Sequence, residues 1–501
     1  MQNIDLNSYA YGNSFQDISG LNTAEALAEL NKSLVAGDIT GGASVNQVTP
    51  GSGAPLKVES LDRQMKLLTF NETFLRLWQL IPKSAAYNTV EEFNQLASYG
   101  TPYGGALNEG QLGEEEDSTF VRRSEKIKYY GEVGSVSHPM QLVRSFDGQA
   151  ALQRETKNRI MNLLRKMNLA LAFGNEKIVG QEVNGIYRQH EIGIGRVDGF
   201  SDNPLSYYSS PYVVDLKGGT LTQSVIESAG TVIMQDGFGA ATHIFGTPGV
   251  FSNFAKDFYS TQRNFPTPGN FNVGTQGINT SYPRDVTMSF GNVKLEHDIF
   301  LAKKSKGIAS GTAQTSVKAP NAPTPGAASV PVADANSQFL ADYAGDYRWA
   351  VRAKNLYGLS ALTELDAGAA VTITATDAAD LSFTDAGGAN PATGYVIYRT
   401  EDNGTTYFPI FEVSTAELSA GYNGAGNGLV RDRNFSIPNT EDAVMTDLPN
   451  TLEIKQLAPL MKLDLATLAP ATRFMVLSYW LLFLYAPQKL IRFTNCKHIS
   501  D

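Results

Sequence analysis

"LNEGQLGEEEDSTFVRRSEKIKYY", residues 107–130, and "DGQAALQRETKNRIMNLLRKMNLALAFGN", residues 147–175, are the two stretches that decide the fold. The first contains few large aliphatic residues, so it can bury little core of its own. We therefore predict that residues 100–140 form a long two-stranded hairpin that projects from the globular part of the chain. Such a hairpin is stable only if it lies on a neighbour.

The second stretch predicts a long amphipathic helix over residues 147–173. Asp147 can cap its start, and Gly174 followed by Asn175 can end it. At 1.5 Å per residue, about 26 residues span roughly 40 Å, so this helix would serve as a strut. The apolar stripe that predicts the helix consists of Leu152, Ile160, Leu163, Leu164, Met167 and Leu171.

The flanking segments differ sharply in composition. Residues 1–60 are polar and rich in Gly, Ser and Asn, with one short amphipathic helix predicted from Thr23 to Gly37, and they read as an extended arm. Residues 181–303 alternate helix and strand signals. Residues 303–333, rich in Ala, Pro, Ser and Gly, are predicted to be a linker.

Residues 318–440 carry an almost pure β signal that interrupts the mixed α/β chain. In "GDYRWAVRAKNLYGLSALTE", residues 345–364, Tyr347, Trp349, Val351 and Ala353 alternate with cationic side chains. The pattern predicts a strand with an apolar inner face and with Arg348, Arg352 and Lys354 on the outer face. The mixed chain resumes at residue 441, so the β segment is an insertion.

No motif in the chain indicates an enzyme. The five histidines lack metal-ligand spacing such as HExxH, and no GxxxxGK[ST], GxSxG or GxGxxG sequence occurs. The acidic run at Glu114 lacks the spacing of a calcium loop, and a solvated or partner-facing charge cluster is the favoured interpretation. We expect no cofactor, no metal and no enzymatic activity.

Charge and hydropathy limit the possible partners and location. The 40 Lys and Arg against 50 Asp and Glu give a net charge of −10, which argues against sequence-specific nucleic acid binding. The single cysteine, Cys496, excludes an internal disulfide, and the start of the chain does not resemble a signal peptide. The most apolar run, Phe474 to Ala486, is shorter than the ~20 residues of a membrane helix, and we predict a buried strand or core helix.

The order of these parts resembles that of the major capsid proteins of tailed phages, the Hong Kong ninety-seven-like family. Residues 106–143 look like that family's extended loop and its return strand, and residues 147–186 look like its spine helix. Residues 457–495 are similar to its closing segment, with an "I-x-x-x-N" finish from Ile491 to Asn495. Within the insertion, "YRWAVRAKNLYGLSA" and "TGYVIYRTEDNG" resemble strands of fibronectin type III or Ig-like sandwiches, although their order differs from that of a simple fibronectin module.

The resemblance implies an α+β capsid fold with an inserted all-β sandwich. Its parts would be an arm (1–60), a peripheral domain (61–180), an axial domain with closing peripheral strands (181–303 and 441–501), and the insertion (318–440). The chain would be a structural subunit that self-assembles into hexamers and pentamers around double-stranded DNA. It would be assembled in the host cytoplasm and located in the virion capsid, with portal and scaffold or decoration proteins as partners and no membrane.

The separated charges of the predicted hairpin can match a complementary neighbour and set its register. The candidate contact residues between subunits are Glu114, Glu115, Glu116, Asp117, Arg122, Arg123, Lys126 and Lys128. The insertion carries 13 acids and 7 bases, so −6 of the net −10 lies there, and we expect it on the outer surface, away from DNA. The alternatives are a cellular nanocompartment shell protein and a carbohydrate-binding adhesin or tail protein.

Overall fold

The computed structural model describes residues 69–100, 105–113, 115–143, 150–195, 204–261, 285–289, 291–466 and 470–498. The predicted arm with its short helix lies outside the described residues, as do Glu114 and Asp147. The described parts comprise the body, which holds two larger sheets with their helices and a two-stranded hairpin, and an inserted domain made almost entirely of strands.

The N-terminal part of the body contains seven helices and eight strands among its described residues. The helices are α1 (Arg76–Leu80), α2 (His138–Leu142), α3 (Ala151–Phe173), α4 (Ile186–Gly195), α5 (Pro204–Tyr208), α6 (Gln223–Gln235) and α7 (Pro248–Thr261). The strands are β1 (Lys83–Ala85), β2 (Val90–Ser98), β3 (Thr119–Lys126), β4 (Lys128–Ser137), β5 (Val213–Asp215), β6 (His243–Gly246), β7 (Asp285–Met288) and β8 (Gly291–His297). Short 3-10 turns lie at Glu72–Phe74 and Ile299–Leu301.

The inserted domain follows, and the chain then returns to the body. The strands of the inserted domain are β9 (Thr324–Pro325), β10 (Val330–Ala333), β11 (Gly345–Tyr347), β12 (Trp349–Asn355), β13 (Gly358–Leu359), β14 (Thr363–Glu364), β15 (Val371–Ile373), β16 (Asp377–Thr384), β17 (Gly394–Thr400), β18 (Tyr407–Ser414) and β19 (Leu429–Asp432). The inserted domain also contains the helix α8 (Thr415–Ala420). After it, the chain forms β20 (Thr440–Thr446), α9 (Leu448–Thr451), β21 (Leu452–Asp464), β22 (Ala471–Leu484) and β23 (Leu490–Lys497).

The long helix α3 packs against a four-stranded sheet of order β1-β21-β22-β4. Leu163, Met167 and Leu171 of α3 share one buried core with Phe474 and Trp480 of β22. The helix ends at Gly174, as predicted, and only glycine fits there, because a β-carbon would lie 2.2 Å from the Val183 carbonyl oxygen and 2.5 Å from that of Ala170. It begins after Ala150, whose side chain makes no capping hydrogen bond.

The second sheet of the body has six strands in the order β5-β23-β20-β6-β8-β7. Ile226 and Ile233 of α6 and Phe251 of α7 are buried with Ile491 and Phe493 of the central strand β23. The predicted helix–strand–helix order between residues 221 and 261 is confirmed. The chain leaves this sheet after β8 and comes back to it as β20, in the middle of the sheet. The domain between these two strands is therefore an insertion in the topology as well as in the sequence.

The inserted domain is built on two main sheets that share one core. One sheet has the order β13-β12-β17-β18, and the other has the order β10-β16-β19. Trp349 and Val351 of β12 are buried with Leu381 and Phe383 of β16, so the predicted inner face of β12 is confirmed. The likeness to a fibronectin type III or Ig-like topology stays a prediction.

The opposite face of β12 carries Arg352 and Lys354, as predicted, but it is largely covered. Arg352 is 4% exposed and donates to the Ser360 and Ala313 carbonyl oxygens, and Lys354 contacts Glu412. This face is covered because the segment predicted as a linker packs on the domain: the Ile308 and Tyr407 backbones exchange two hydrogen bonds of 2.8 and 2.9 Å. The segment also contributes β9 and β10. Residues 303–333 are therefore part of the folded domain and its attachment, and not a linker.

The apolar run that ends near residue 486 forms β22, a central strand of the four-stranded sheet. Its alternate residues Phe474, Val476 and Trp480 are fully buried in the core beneath α3. The prediction of a buried strand or core helix thus resolves to the strand. None of the helices in the described ranges is long and apolar enough to cross a membrane.

Candidate subunit interface

Three of the eight candidate contact residues, Arg122, Arg123 and Lys126, lie in a hairpin that consists of β2 and β3. The strands run antiparallel from the pair Val90–Lys126 at the base to the pair Leu96–Phe120 near the far end. The predicted hairpin spanned residues 100–140, and both of these bounds are wrong. Its first strand starts earlier, at Val90, and the residues after Ile127 form β4, which pairs with β22 in the body from Lys128 to Ser137.

One face of the hairpin lies on the body of its own chain. The Phe93 ring packs edge-on against Phe483 and Tyr485, with ring centroids 4.8 and 4.9 Å apart. Arg123 lies on the same face, where its Nε donates to Gln95 Oε1 at 2.9 Å. The hairpin is therefore supported by its own chain along one face, and the prediction that only a neighbour stabilises it is wrong.

The opposite face of the hairpin is exposed and mixed in character. Arg122 lies there, with its NH1 3.5 Å from Glu92 Oε2 and its Nε donating to Asn94 at 3.2 Å. Near the far end, the paired side chains of Leu96 and Phe120 are 41% and 70% exposed. Cationic, amide and aromatic groups thus stand side by side on a surface that the described part of the chain does not cover. We call this surface, formed by the even-numbered residues of β2 and β3, the outer hairpin face.

The candidate residues separate into groups in the structure. Lys126 lies on the outer hairpin face with Arg122, whereas Arg123 faces the body. Glu115, Glu116 and Asp117 are exposed in the segment that leads into β3. This segment and the outer hairpin face present both signs of charge.

Lys128 does not lie on an exposed surface. It is 8% exposed, and its Nζ is 2.7 Å from Glu176 Oε1 and donates to the Gly180 carbonyl oxygen at 2.7 Å. Lys128 therefore ties the start of β4 to the loop after α3 in the same chain. We therefore correct the prediction that Lys128 contacts a neighbouring subunit, because its ammonium group is already enclosed and paired within its own chain.

A carboxylate beside Lys128 marks the base of the hairpin. Burial raises the pKa of Glu125 to about 7, against the lowering effect of the Asn184 amide, and the nearby Glu176 carboxylate raises it further. Asn184 Nδ2 is 3.3 Å from Glu125 Oε2 and 3.3 Å from Glu176 Oε2, so one amide bridges both acids. The hairpin base is thus sensitive to pH near neutrality.

Sequence reasoning missed the first strand of this surface. Glu92, Asn94 and Leu96 belong to the outer hairpin face, but they lie outside the predicted hairpin. The signal that could have identified them is the alternation in "VEEFNQLA", where Phe93 and Gln95 turn inward and their neighbours turn outward. Glu176 and Asn184 could not be found in this way because they reach the hairpin only through the tertiary fold.

Two other titratable side chains of the described chain, His190 and Cys496, are buried in the core. His190 is fully buried between the Tyr207 hydroxyl and the Leu490 carbonyl oxygen, both 2.9 Å away, and burial lowers its pKa to about 3. Burial also raises the pKa of the Cys496 thiol well above its usual value. Within the described ranges, no group of three or more His, Cys, Asp and Glu residues could hold a metal ion.

The chain is similar over most of its length to curated phage proteins. No protein-family model matches the chain. The major capsid proteins of Staphylococcus phages S25-3 and K are both 24% identical to it over 458 residues, 89% of this chain and 91% of theirs. The putative major capsid protein of Enterococcus phage phiEF24C is 23% identical over 492 residues, 96% of this chain and 98% of its own.

Similar solved structures include the capsid of the native GTA particle and Mycobacterium phage Ogopogo. The first has a TM-score of 0.43 at 10% identity and covers 90% of this chain and all of its own. The second has a TM-score of 0.40 at 10% identity and covers 89% and 99%. The matches to the curated relatives run along nearly the whole of both chains, and the described elements follow the order hairpin, long helix α3, six-stranded sheet and C-terminal strands. Along nearly its whole length, the chain is similar to major capsid proteins of phages.

Proposed function

We propose that the chain is a phage major capsid protein of the Hong Kong ninety-seven-like fold, which assembles into hexamers and pentamers that enclose double-stranded DNA in an icosahedral shell. We also propose that the outer hairpin face docks on the adjacent subunit. The observation that carries this proposal is the exposure of a mixed polar and aromatic strand face on a hairpin whose other face is fixed to the body. The described strands β2 and β3 pair only with each other, so the hairpin keeps two open strand edges besides its exposed side-chain face, and we propose that the side chains make the contact. The outer hairpin face provides them.

The charges of this region favour a contact that selects register. Arg122 and Lys126 lie on the outer hairpin face, and Glu115, Glu116 and Asp117 precede β3. In a ring of identical subunits, the basic strand of one copy can meet the acidic segment of the next. Such exposed pairs contribute orientation and rate more than affinity, and salt weakens them.

Charge reversal tests the docking of the hairpin. We expect Arg122→Glu to reduce the yield of closed shells, counted by electron microscopy, and a second reversal, Glu115→Arg with Glu116→Arg, to restore part of the yield. Lys256→Glu, an equally exposed reversal on α7, is the matched control and should leave the yield unchanged. Normal shell yield from Arg122→Glu at low and at high salt would contradict the contact.

We also propose that the inserted domain is displayed on the outer surface of the shell. Its net charge of −6 supports this, because a negative domain against DNA would be repelled by the phosphates. The chain's one cysteine, Cys496, is buried, so a new surface thiol can be labelled selectively. We expect Asn427→Cys, at an exposed site of the domain, to react with a maleimide dye in intact DNA-filled shells. Labelling only after the shells are disrupted would contradict outward display.

The remaining proposals concern partners. Portal and scaffold or decoration proteins would complete the shell, which would assemble in the host cytoplasm without a cofactor, an enzymatic step or sequence-specific DNA contacts. Co-expression of the chain with candidate scaffold proteins, followed by electron microscopy, tests the need for a scaffold. We expect closed shells of uniform size with the scaffold, and aberrant or no assemblies without it.

A further inference from the structure

A protruding aromatic side chain lies at the end of α6, in "QDGFGA", residues 235–240. The Phe238 side chain is 86% exposed, and Met234, one helical turn earlier, is 46% exposed. Among the described residues, Phe238 is the one aromatic residue with a left-handed backbone, at φ 51°. The left-handed region is unusual for a bulky side chain, and the described part of the chain leaves Phe238 86% exposed, so little packing there offsets this strain.

The turn around Phe238 is held firmly by the body. The backbone N–H groups of Gly237 and Gly239 both donate to the Ile233 carbonyl oxygen, at 3.1 and 3.3 Å. A β-carbon at Gly237 would lie 2.6 Å from the Gln488 carbonyl oxygen, and one at Gly239 would lie 3.2 Å from Asp447 Oδ2. The two glycines let the chain pass close to the residues around β20 and β23, and Phe238 between them is directed outward.

We infer that Phe238, with Met234 beside it, is an assembly contact that inserts into an apolar surface of a second copy of this chain. Strained residues persist where function requires them, and an exposed aromatic on a rigid turn is a typical anchor of an interface. The partner is a second copy because a capsid subunit is surrounded by copies of itself. The inference thus rests on self-assembly, but it does not depend on the hairpin contact.

Replacement of Phe238 by glycine separates an assembly role from a structural one. Glycine adopts the left-handed region without strain, so the melting temperature of unassembled Phe238→Gly subunits should be unchanged or higher. The concentration needed for shell formation should rise about tenfold or more, because each subunit loses one buried aromatic ring. Phe238→Asn, which also tolerates this backbone, should behave in the same way.

The matched control is Val317→Ser, since Val317 is 89% exposed on the inserted domain. It should leave shell formation unchanged. Wild-type assembly efficiency in Phe238→Gly and Phe238→Asn would overturn the inference, and so would a large loss of melting temperature in both, which would assign Phe238 to folding. Absence of shells from the wild-type chain under every condition would instead contradict the proposed assembly itself.

Discussion

A buried ion pair joins the two main sheets of the inserted domain. Arg399 of β17 and Asp432 of β19 are each 1% exposed, with NH1 2.6 Å from Oδ2, and the same oxygen accepts from Trp349 Nε1 at 3.0 Å. Removal of one partner leaves the other charge buried and unpaired, which costs about 3–5 kcal/mol. We expect Asp432→Ala to lower the free energy of unfolding by about this amount in urea denaturation followed by circular dichroism.

The control for this prediction is Asp342→Ala, at an exposed position of the same domain. It should change the free energy of unfolding by less than about 0.5 kcal/mol. A loss in Asp432→Ala no larger than that in the control would show that the Arg399 guanidinium does not need its carboxylate partner.

Asn495, the last residue of the predicted closing segment, is held in place by three hydrogen bonds of its buried side chain. Its backbone is left-handed at φ 55°, and its buried amide donates to Asp215 Oδ1 at 2.8 Å and to the Phe435 carbonyl oxygen at 3.1 Å. Its Oδ1 accepts from the Ile437 N–H at 2.9 Å. One side chain thus fastens β23 to β5 and to the chain that returns from the inserted domain. Asparagine tolerates this backbone better than most residues do.

Asn495→Asp keeps the shape of the side chain but places a second carboxylate against Asp215. Burial and repulsion would hold the folded-state pKa of the introduced carboxyl above its unfolded value, so stability is lost as pH rises through the carboxyl range. We expect the melting temperature of the variant, relative to wild type, to fall between pH 4 and pH 8. Asn427→Asp, at an exposed site, should show no such trend. A pH-independent deficit would contradict the electrostatic explanation.

The hairpin base should make the stability of the peripheral region depend on pH. Because burial raises the pKa of Glu125 to about 7, the folded chain binds more protons than the unfolded chain between about pH 4.5 and 7, and stability falls as pH rises through that range. Glu125→Gln should remove this fall. We expect the variant to be about 1–3 kcal/mol more stable than wild type at pH 8 and close to wild type at pH 5.

Glu92→Gln is the matched control, because Glu92 lies on the adjacent strand with half of its side chain exposed. It should leave the pH profile of the melting temperature unchanged. Glu441, whose pKa burial also raises to about 7, contributes the same pH dependence to every variant, so the difference between Glu125→Gln and wild type isolates Glu125. Parallel profiles for Glu125→Gln and wild type would contradict the assignment.

Elements with local signals could be predicted from the sequence, and elements defined by distant pairing could not. The long helix α3 was predictable because its stripe of Leu163, Met167 and Leu171 has helical spacing, and because the residue that ends it, Gly174, is part of the same local sequence. The hairpin was misplaced because β4 looks like a return strand in isolation. Its partner, β22, lies more than 300 residues later, and the register Lys128–Trp480 is set by that distant strand.

The order of domains could likewise be predicted, whereas their attachment could not. The change in composition near residue 304 revealed the insertion, but it suggested a linker. In the structure, Lys177 Nζ is 2.7 Å from Glu417 Oε1, and Lys354 Nζ is 3.6 Å from Glu182 Oε2, so ion pairs join the inserted domain to the loop after α3. A chain read locally cannot pair residues that are 170 or more positions apart.

The two ends of the insertion meet in one small cluster. Lys304 Nζ is 2.8 Å from Asp442 Oδ1, and the Ser305 N–H donates to Glu441 at 2.9 Å. Arg492 of β23 completes it, with NH2 2.6 Å from Asp442 Oδ2. The entry and exit of the insertion are therefore fixed to the central strands of the six-stranded sheet, and this connection does not depend on the rest of the inserted domain.

This arrangement predicts that the body can assemble without the inserted domain. Replacement of residues 306–434 by a ten-residue Gly-Ser linker keeps Phe435 and Ile437, which bind Asn495, and the linker is long enough to join two adjacent ends. The melting temperature of the free subunit should fall, because the ion pairs of Lys177 with Glu417 and of Glu182 with Lys354 are lost. Closed shells of wild-type diameter should still form and lack the outer protrusions in electron micrographs. A folded body, verified by circular dichroism, that forms no shells would show that the inserted domain takes part in assembly contacts.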